Sequence, residues 1–195
     1  MGWSAQTEDG VERAAPSKDE PTAIIGMGPI GLAVAIFAMA AGANIACIDM
    51  QGDRLAFACD RMELGKPILA DGDLGGQLQK HFGQLPSVVI DATGSQASMK
   101  GTFQLAGHGG RIVFIGLFMG EVSFDDPNFH RRELTLMASW AGLTRTFQDV
   151  LRAMETNKVD VIPLITHRFG FTEAKERLPL IYREPGLVKA MIDFD

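Results

Sequence analysis

The chain has 195 residues, of which 46% are apolar and 22% charged, and its net charge is −6. That balance matches a soluble globular protein, roughly 45–50% apolar and about 25% charged, and it excludes a disordered, collagen-like or coiled-coil chain. With no block of like charges, nucleic acid and acidic membrane surfaces are poor partners.

Residues 1–21 are polar. Five acids (Glu8, Asp9, Glu12, Asp19, Glu20) against two bases (Arg13, Lys18) give this stretch half of the net charge, and it reads as a linker or the remnant of a preceding helix. Thr22–Gly26 follows as a first strand, uniformly apolar because both faces of a parallel sheet are covered. Pro29–Ala41 is a helix stopped by Gly42. Asn44–Asp49 is a second strand and Asp53–Leu64 a helix that ends at Gly65. Pro67–Leu69 is a short third strand, and Leu74–Phe82 a weak helix stopping at Gly83. Ser87–Asp91 is a fourth strand, Ser95–Leu105 its helix, and Gly110–Gly116 a fifth strand. Leu134–Trp140 is a sixth, closed by a helix over Phe147–Glu155. Six strands with helical crossovers predict an α/β fold, a doubly wound parallel Rossmann sheet in the order 3-2-1-4-5-6.

Beyond Asp160 the rhythm changes. A strand over Ile162–Phe169, a helix over Thr172–Tyr182 and a terminal strand over Leu187–Phe194 carry an apolar load in need of a partner surface. The expected division is therefore 1–21, then 22–160 as the nucleotide-binding domain, then 161–195 as a separate segment.

Thr22 to Ile48 is free of charge and long enough to suggest a membrane span. Gly26, Gly28, Pro29, Gly31 and Gly42 divide it into pieces that suit buried strands and a helix, and the acidic N-terminus does not fit a signal peptide. The only cysteines, Cys47 and Cys59, form no CxxC motif. A disulfide framework and a structural zinc site are disfavoured, and a cytoplasmic setting is the default.

The strongest local signal is Gly26, Gly28 and Gly31 in G-x-G-x-x-G spacing, between a predicted strand and a predicted helix. In such a loop the first glycine permits the tight turn and the second lets a pyrophosphate approach the backbone. The third lets helix and strand pack closely. Pro29 falls at the first helical position, where its missing N–H costs nothing. Asp49 ends the second strand, 23 residues after Gly26. That matches the acid expected about 20 residues on, which accepts hydrogen bonds from ribose hydroxyls. It also repels a 2′-phosphate, and Met50, Gln51 and Gly52 supply no arginine, so NAD is favoured over NADP. The four histidines have no ligand spacing, and no Ser/His/Asp set is readable.

The motifs G-M-G-P-I-G-L, D-M-Q-G-D-R-L, V-V-I-D-A-T-G, G-G-R-I-V-F-I-G-L, R-R-E-L-T-L-M-A-S-W and L-V-K-A-M-I-D-F occur in this order. Together they resemble the C-terminal half of the medium-chain, zinc-dependent alcohol and polyol dehydrogenases, in the sorbitol, threonine and galactonate-type branch. The resemblance runs from about Gly10 to Asp195. It implies Ile30 behind the nicotinamide, Asp49 and Arg54 on the adenosine ribose, and Thr93 near the ribose and cofactor bridge. It further implies Ile115, Gly116 and Leu117 at the carboxamide, with Ala138 and Trp140 completing that wall and Lys189 reaching the pyrophosphate.

In that family a separate N-terminal domain supplies the ligands of a catalytic zinc, and this chain contains no such ligand set. Val11–Ala15 resembles the end of the helix that joins the two domains, and Glu8 and Asp9 sit too close to that end to replace a lost ligand. The expectation is the NAD-binding half of a zinc-type dehydrogenase. Its partners would be the dinucleotide, the missing catalytic domain and a second copy in a homo-oligomer. A free-standing nucleotide-binding module and a zinc-free quinone reductase are the alternatives, the latter opposed by Asp49.

Overall fold

The computed structural model describes residues 2–140 and 144–194. It divides the chain into two compact units, residues 1–159 and 160–195.

The first unit opens with helix α1 (Gly2–Ala14) and continues β1 (Pro21–Ile25), α2 (Pro29–Ala40), β2 (Asn44–Asp49), α3 (Gly52–Leu55), β3 (Lys66–Leu69) and α4 (Leu74–Phe82). Next come β4 (Val88–Asp91), α5 (Gln96–Leu105), β5 (Arg111–Phe114), α6 (Asp126–Arg131), β6 (Thr135–Ala138) and α7 (Thr144–Glu155). All neighbouring strands pair in parallel, in the order β3-β2-β1-β4-β5-β6 expected from the sequence. The order follows from patterning. Strands β1, β2 and β4 are buried almost end to end, so each needs a helical layer on both faces.

Alternate residues along the strands serve the two layers. Ala23, Ile25, Ala46, Ile48, Val89 and Ile112 form one core with Leu78, Phe103 and Leu134. Helix α2 packs on the sheet as well as on α1, and that double contact explains why Gly31 to Ala38 are all buried. Burying a side chain of this kind is worth about 1.5–3 kcal/mol.

Of the two expectations for residues 1–21, a linker or the remnant of a helix, the structure takes the helix. Helix α1 packs on α2, α7 and the end of β5, with Val11 and Ala14 buried. Arg111, at the start of β5, anchors its far end. The guanidinium donates to the carbonyl of Ala14 at 2.7 Å and to both oxygens of Glu20 at 2.9 Å. Burial alone would raise the Glu20 carboxyl. The Ser17 N–H and hydroxyl together with Arg111 outweigh that, and its pKa is lowered.

The helix expected over Asp53–Leu64 is shorter and wider. After α3 the chain makes a π-helical turn over Ala56–Arg61 and stops where Glu63 takes a left-handed φ of 56°. Helix α6 was not anticipated. It is six residues long, too short to show a period, and Asn128 ties it to the core by donating to the Phe103 carbonyl at 2.8 Å.

In the second unit β7 (Ile165–Gly170) and β8 (Lys189–Asp193) pair in parallel. The strand expected from Ile162 begins as a 3-10 turn, Ile162–Leu164, containing Pro163. The helix expected over Thr172–Tyr182 is broken into a 3-10 turn (Phe171–Glu173), α8 (Ala174–Arg177) and a second 3-10 turn (Ile181–Arg183). Pro179 is the cause, because it lacks an N–H and clashes with the preceding turn. Arg177 holds the pieces together. It donates to both Glu184 oxygens and stacks 4.8 Å from the Phe169 ring. Among the described residues, no helix is long and apolar enough to cross a membrane.

Candidate nucleotide site

The glycine loop joins the buried end of β1 to the start of α2. Gly26 turns the chain with φ +94°, and its N–H donates to the Ile48 carbonyl at 2.7 Å. Gly28 is the N-cap residue of α2 and Pro29 follows at the first helical position, with no side chain capping the helix. The first N–H groups of such a helix lack partners and carry the positive end of its dipole, a ready site for an anion. A Cβ on Gly31 would lie 1.7 Å from the Gly26 carbonyl oxygen, so close packing of helix on loop requires glycine there. A Cβ on Gly28 would meet nothing within 4 Å. The space above it is open.

Asp49 lies at the carboxyl end of β2 and is 7% exposed. One carboxylate oxygen accepts the Met27 N–H at 2.7 Å and the other the Gln51 N–H at 2.9 Å. The Arg54 guanidinium stands 3.8 Å from the same carboxylate. Carboxylate oxygens offer about four acceptor positions, so two backbone bonds leave capacity for a ligand.

A cleft of about 590 Å³ opens at this end of the sheet, where strand order reverses between β1 and β4. This is the place at which open α/β sheets take ligands. Gly26, Gly28, Pro29, Asp49, Arg54 and Thr93 all line it. The pattern of glycines and acids did not disclose Gln51, Ala70, Leu74 and Ser98, which line it too. They come from four separate segments, and only the sheet order brings them together.

The other expected residues lie outside this lining. Ile30 is half-buried in the first turn of α2 and Gly31 is buried. Ile115 is buried at the end of β5, where a Cβ on Gly10 of α1 would lie 2.3 Å from its Cδ1. Gly116 packs on the turn after β4, while Leu117 is exposed. Ala138 ends β6, and Trp140 is 70% exposed. Lys189 begins β8, in the second unit.

Glu8 and Asp9 differ from one another. Asp9 is buried and accepts the Ser139 hydroxyl and the Arg13 Nε–H, both at 2.7 Å. One oxygen of Glu8 is buried without a partner. Burial first, and then the nearby Asp149 and Glu12 carboxylates, push its pKa up to about 6. His81, His108 and His130 are exposed, whereas His167 is half-buried, with Nε2 3.4 Å from Glu184. Among the described residues no three His, Cys, Asp or Glu side chains converge as a metal site. The described residues therefore do not fit the zinc implied by the resemblance.

A family model described as zinc-binding dehydrogenase matches residues 29–156. The chain is 40% identical over 190 residues to L-galactonate-5-dehydrogenase of Escherichia coli K12, covering 94% of this chain and 55% of that protein. It is 31% identical over 181 residues to D-xylulose reductase of Scheffersomyces stipitis, covering 88% and 50% respectively. A crystal structure described as a short chain alcohol dehydrogenase of E. coli CFT073, complexed with NADH, superposes with a TM-score of 0.88. It covers 99% of this chain and 58% of that one at 21% identity, a likeness of fold. The chain spans about half the length of the curated relatives it matches.

Proposed function

Because this chain belongs to the zinc-binding dehydrogenase family, we propose that it is the NAD-binding half of an alcohol or polyol dehydrogenase acting on a sugar alcohol or sugar acid. The observation that carries this reading is the open loop at Gly28, set beside an Asp49 carboxylate that retains free acceptor positions. The loop and the N-terminus of α2 would hold the pyrophosphate, and Asp49 with Arg54 would hold the adenosine ribose. Ile30, Thr93, Ile115, Gly116, Leu117, Ala138 and Trp140 would follow the dinucleotide toward its nicotinamide. When bound, NAD supplies the hydride acceptor or donor. The chain's own residues bind it, orient it and select it over NADP.

Residues 22–160 constitute the dinucleotide domain in this proposal, and residues 161–195, Lys189 among them, rejoin the catalytic domain of the complete enzyme. The complete protein would be cytoplasmic and homo-oligomeric. Edge strand β6, where Leu136 is exposed, offers unpaired backbone groups for self-association.

A second reading is a free-standing nucleotide-binding module without dehydrogenase activity, which the same open loop and Asp49 would serve. Fluorescence titration with NADH and NADPH, paired with an assay of polyol oxidation, tests both. NADH bound more tightly than NADPH supports the nucleotide site, and no binding of either overturns it. Turnover without an added partner would overturn the claim that the chain is only half of the machinery.

A further inference from the structure

The turn after β4, residues 92–95, stands between the two sides of the nucleotide site. A Cβ on Gly26 would lie 2.9 Å from Thr93 Cγ2. On the other side, a Cβ on Gly116 would lie 2.2 Å from the Gly94 nitrogen and 3.0 Å from the Thr93 carbonyl carbon. Gly94 itself has φ +66°, and a Cβ there would lie 2.7 Å from the Leu117 carbonyl oxygen. The phosphate loop and the end of β5 thus touch through this one turn.

Beneath it lies Asp91, a carboxylate with no exposed surface. One oxygen accepts the Thr93 N–H at 2.9 Å and the Thr93 hydroxyl at 2.7 Å. The other accepts the hydroxyl of Ser98, a residue of the cleft lining. The Asp91 carbonyl accepts the N–H groups of Ile115 and Gly116 at 2.9 and 3.0 Å. A buried carboxylate is costly unless its oxygens are paired, and here the donors come from the residues that shape the cleft.

The network fixes the polarity of Thr93. A hydroxyl has one proton and two lone pairs. The proton goes to Asp91, and one lone pair accepts the Ser95 N–H at 3.0 Å. One lone pair remains, on an exposed residue that lines the cleft. We propose that Asp91 is a positioning residue for the dinucleotide, holding the Thr93 hydroxyl as an acceptor so that this turn recognises a ligand O–H donor, a ribose hydroxyl. The inference rests on the cleft being the NAD site.

The test is a double-mutant cycle read by NADH titration, with thermal unfolding measured without ligand. Thr93→Val should weaken NADH about tenfold, whereas Thr93→Ser, which keeps the hydroxyl, should stay within about twofold. Asp91→Ala should also weaken it about tenfold. In the Thr93→Val background it should add no more than about a further twofold, because both changes remove one interaction. Asp91→Asn keeps an acceptor for Thr93 and should retain affinity to within about threefold.

A merely structural Asp91 predicts additive losses and a Thr93→Val variant that binds like the parent, and either result overturns the proposal. If Asp91→Ala does not fold, the Thr93→Val and Thr93→Ser pair decides alone. A parent chain that binds no NADH overturns the function reading together with this one. A parent that binds NADH no more tightly than Thr93→Val overturns this one alone.

Discussion

The Asp49 carboxylate accepts the Met27 N–H at 2.7 Å, so the acid at the end of β2 braces the glycine loop as well as facing the cleft. One side chain thereby sets both the shape of the phosphate cradle and the charge beside it. The two roles are separable by substitution.

Asp49→Asn keeps an acceptor for Met27 and removes the negative charge. Two unit charges about 4 Å apart repel by roughly 4 kcal/mol at an effective dielectric of about 20, before relaxation and salt reduce it. The preference for NADH over NADPH should therefore shrink about tenfold or more, while the lost acceptor for the Gln51 N–H costs about 1 kcal/mol of stability. Parallel fluorescence titrations measure the ratio, and an unaltered ratio removes Asp49 from cofactor selection.

The loop glycines should part company. Gly28→Val places its side chain in open space, so NADH binding should be lost while the melting temperature moves by no more than about 2 °C. Gly31→Ala puts a methyl 1.7 Å from the Gly26 oxygen and should destabilise the fold by about 3 kcal/mol. Denaturant titration of the two variants beside the parent checks the contrast.

Stability should depend on pH through Glu8. Its pKa in the folded chain is raised from 4.5 to about 6, so the native state holds this proton more tightly than the unfolded chain does. The associated stabilisation is complete below pH 4.5 and is lost as pH rises through about 6. Glu8→Gln should therefore stabilise the protein at pH 7.5 by about 1 kcal/mol, after allowance for solvent screening, and by nothing at pH 4. Urea unfolding at the two pH values gives the difference. Equal effects at both would mean that Glu8 acts by packing alone.

Arg111→Ala removes the donors to Ala14 and Glu20 and should cost about 2 kcal/mol. Glu20 has a lowered pKa, so its contribution is present above its unfolded value of 4.5 and fades as pH falls through the folded one. The cost of Arg111→Ala should accordingly shrink in acid. A cost that holds steady down to pH 3 would assign the effect to the carbonyl contact at Ala14.

Strand order and glycine loop were legible because each rests on local pattern. Continuous apolar runs specify strands covered on both faces, and Gly26, Gly28 and Gly31 stand at fixed offsets from Pro29. Helix α1 was legible only at its end, where Val11–Ala15 resembles the close of a helix, and its packing had no local signature. Thr7, Asp9 and Gly10 are buried, yet their composition reads as polar linker, because the Ser139 hydroxyl that satisfies Asp9 lies 130 residues away. Asp91 reads locally as the polar end of an apolar strand. Its burial becomes visible only once Thr93 and Ser98 fold over it. In the second unit the apolar spacing suggested a helix through Tyr182, and Pro179 overrode it.

Helix α1 meets the end of β5 through missing atoms, since Gly10 has no Cβ where Ile115 needs the room. The Gln6 amide also donates to the Ile115 carbonyl at 3.2 Å. A chain begun at Pro21 would keep all six sheet strands and every cleft residue, yet Ile115, Ser139 and Arg111 would lose their α1 partners. Packing at the end of β5 and beyond β6 thus depends on a helix that lies upstream of the Rossmann strand pattern and has no residue in the cleft lining.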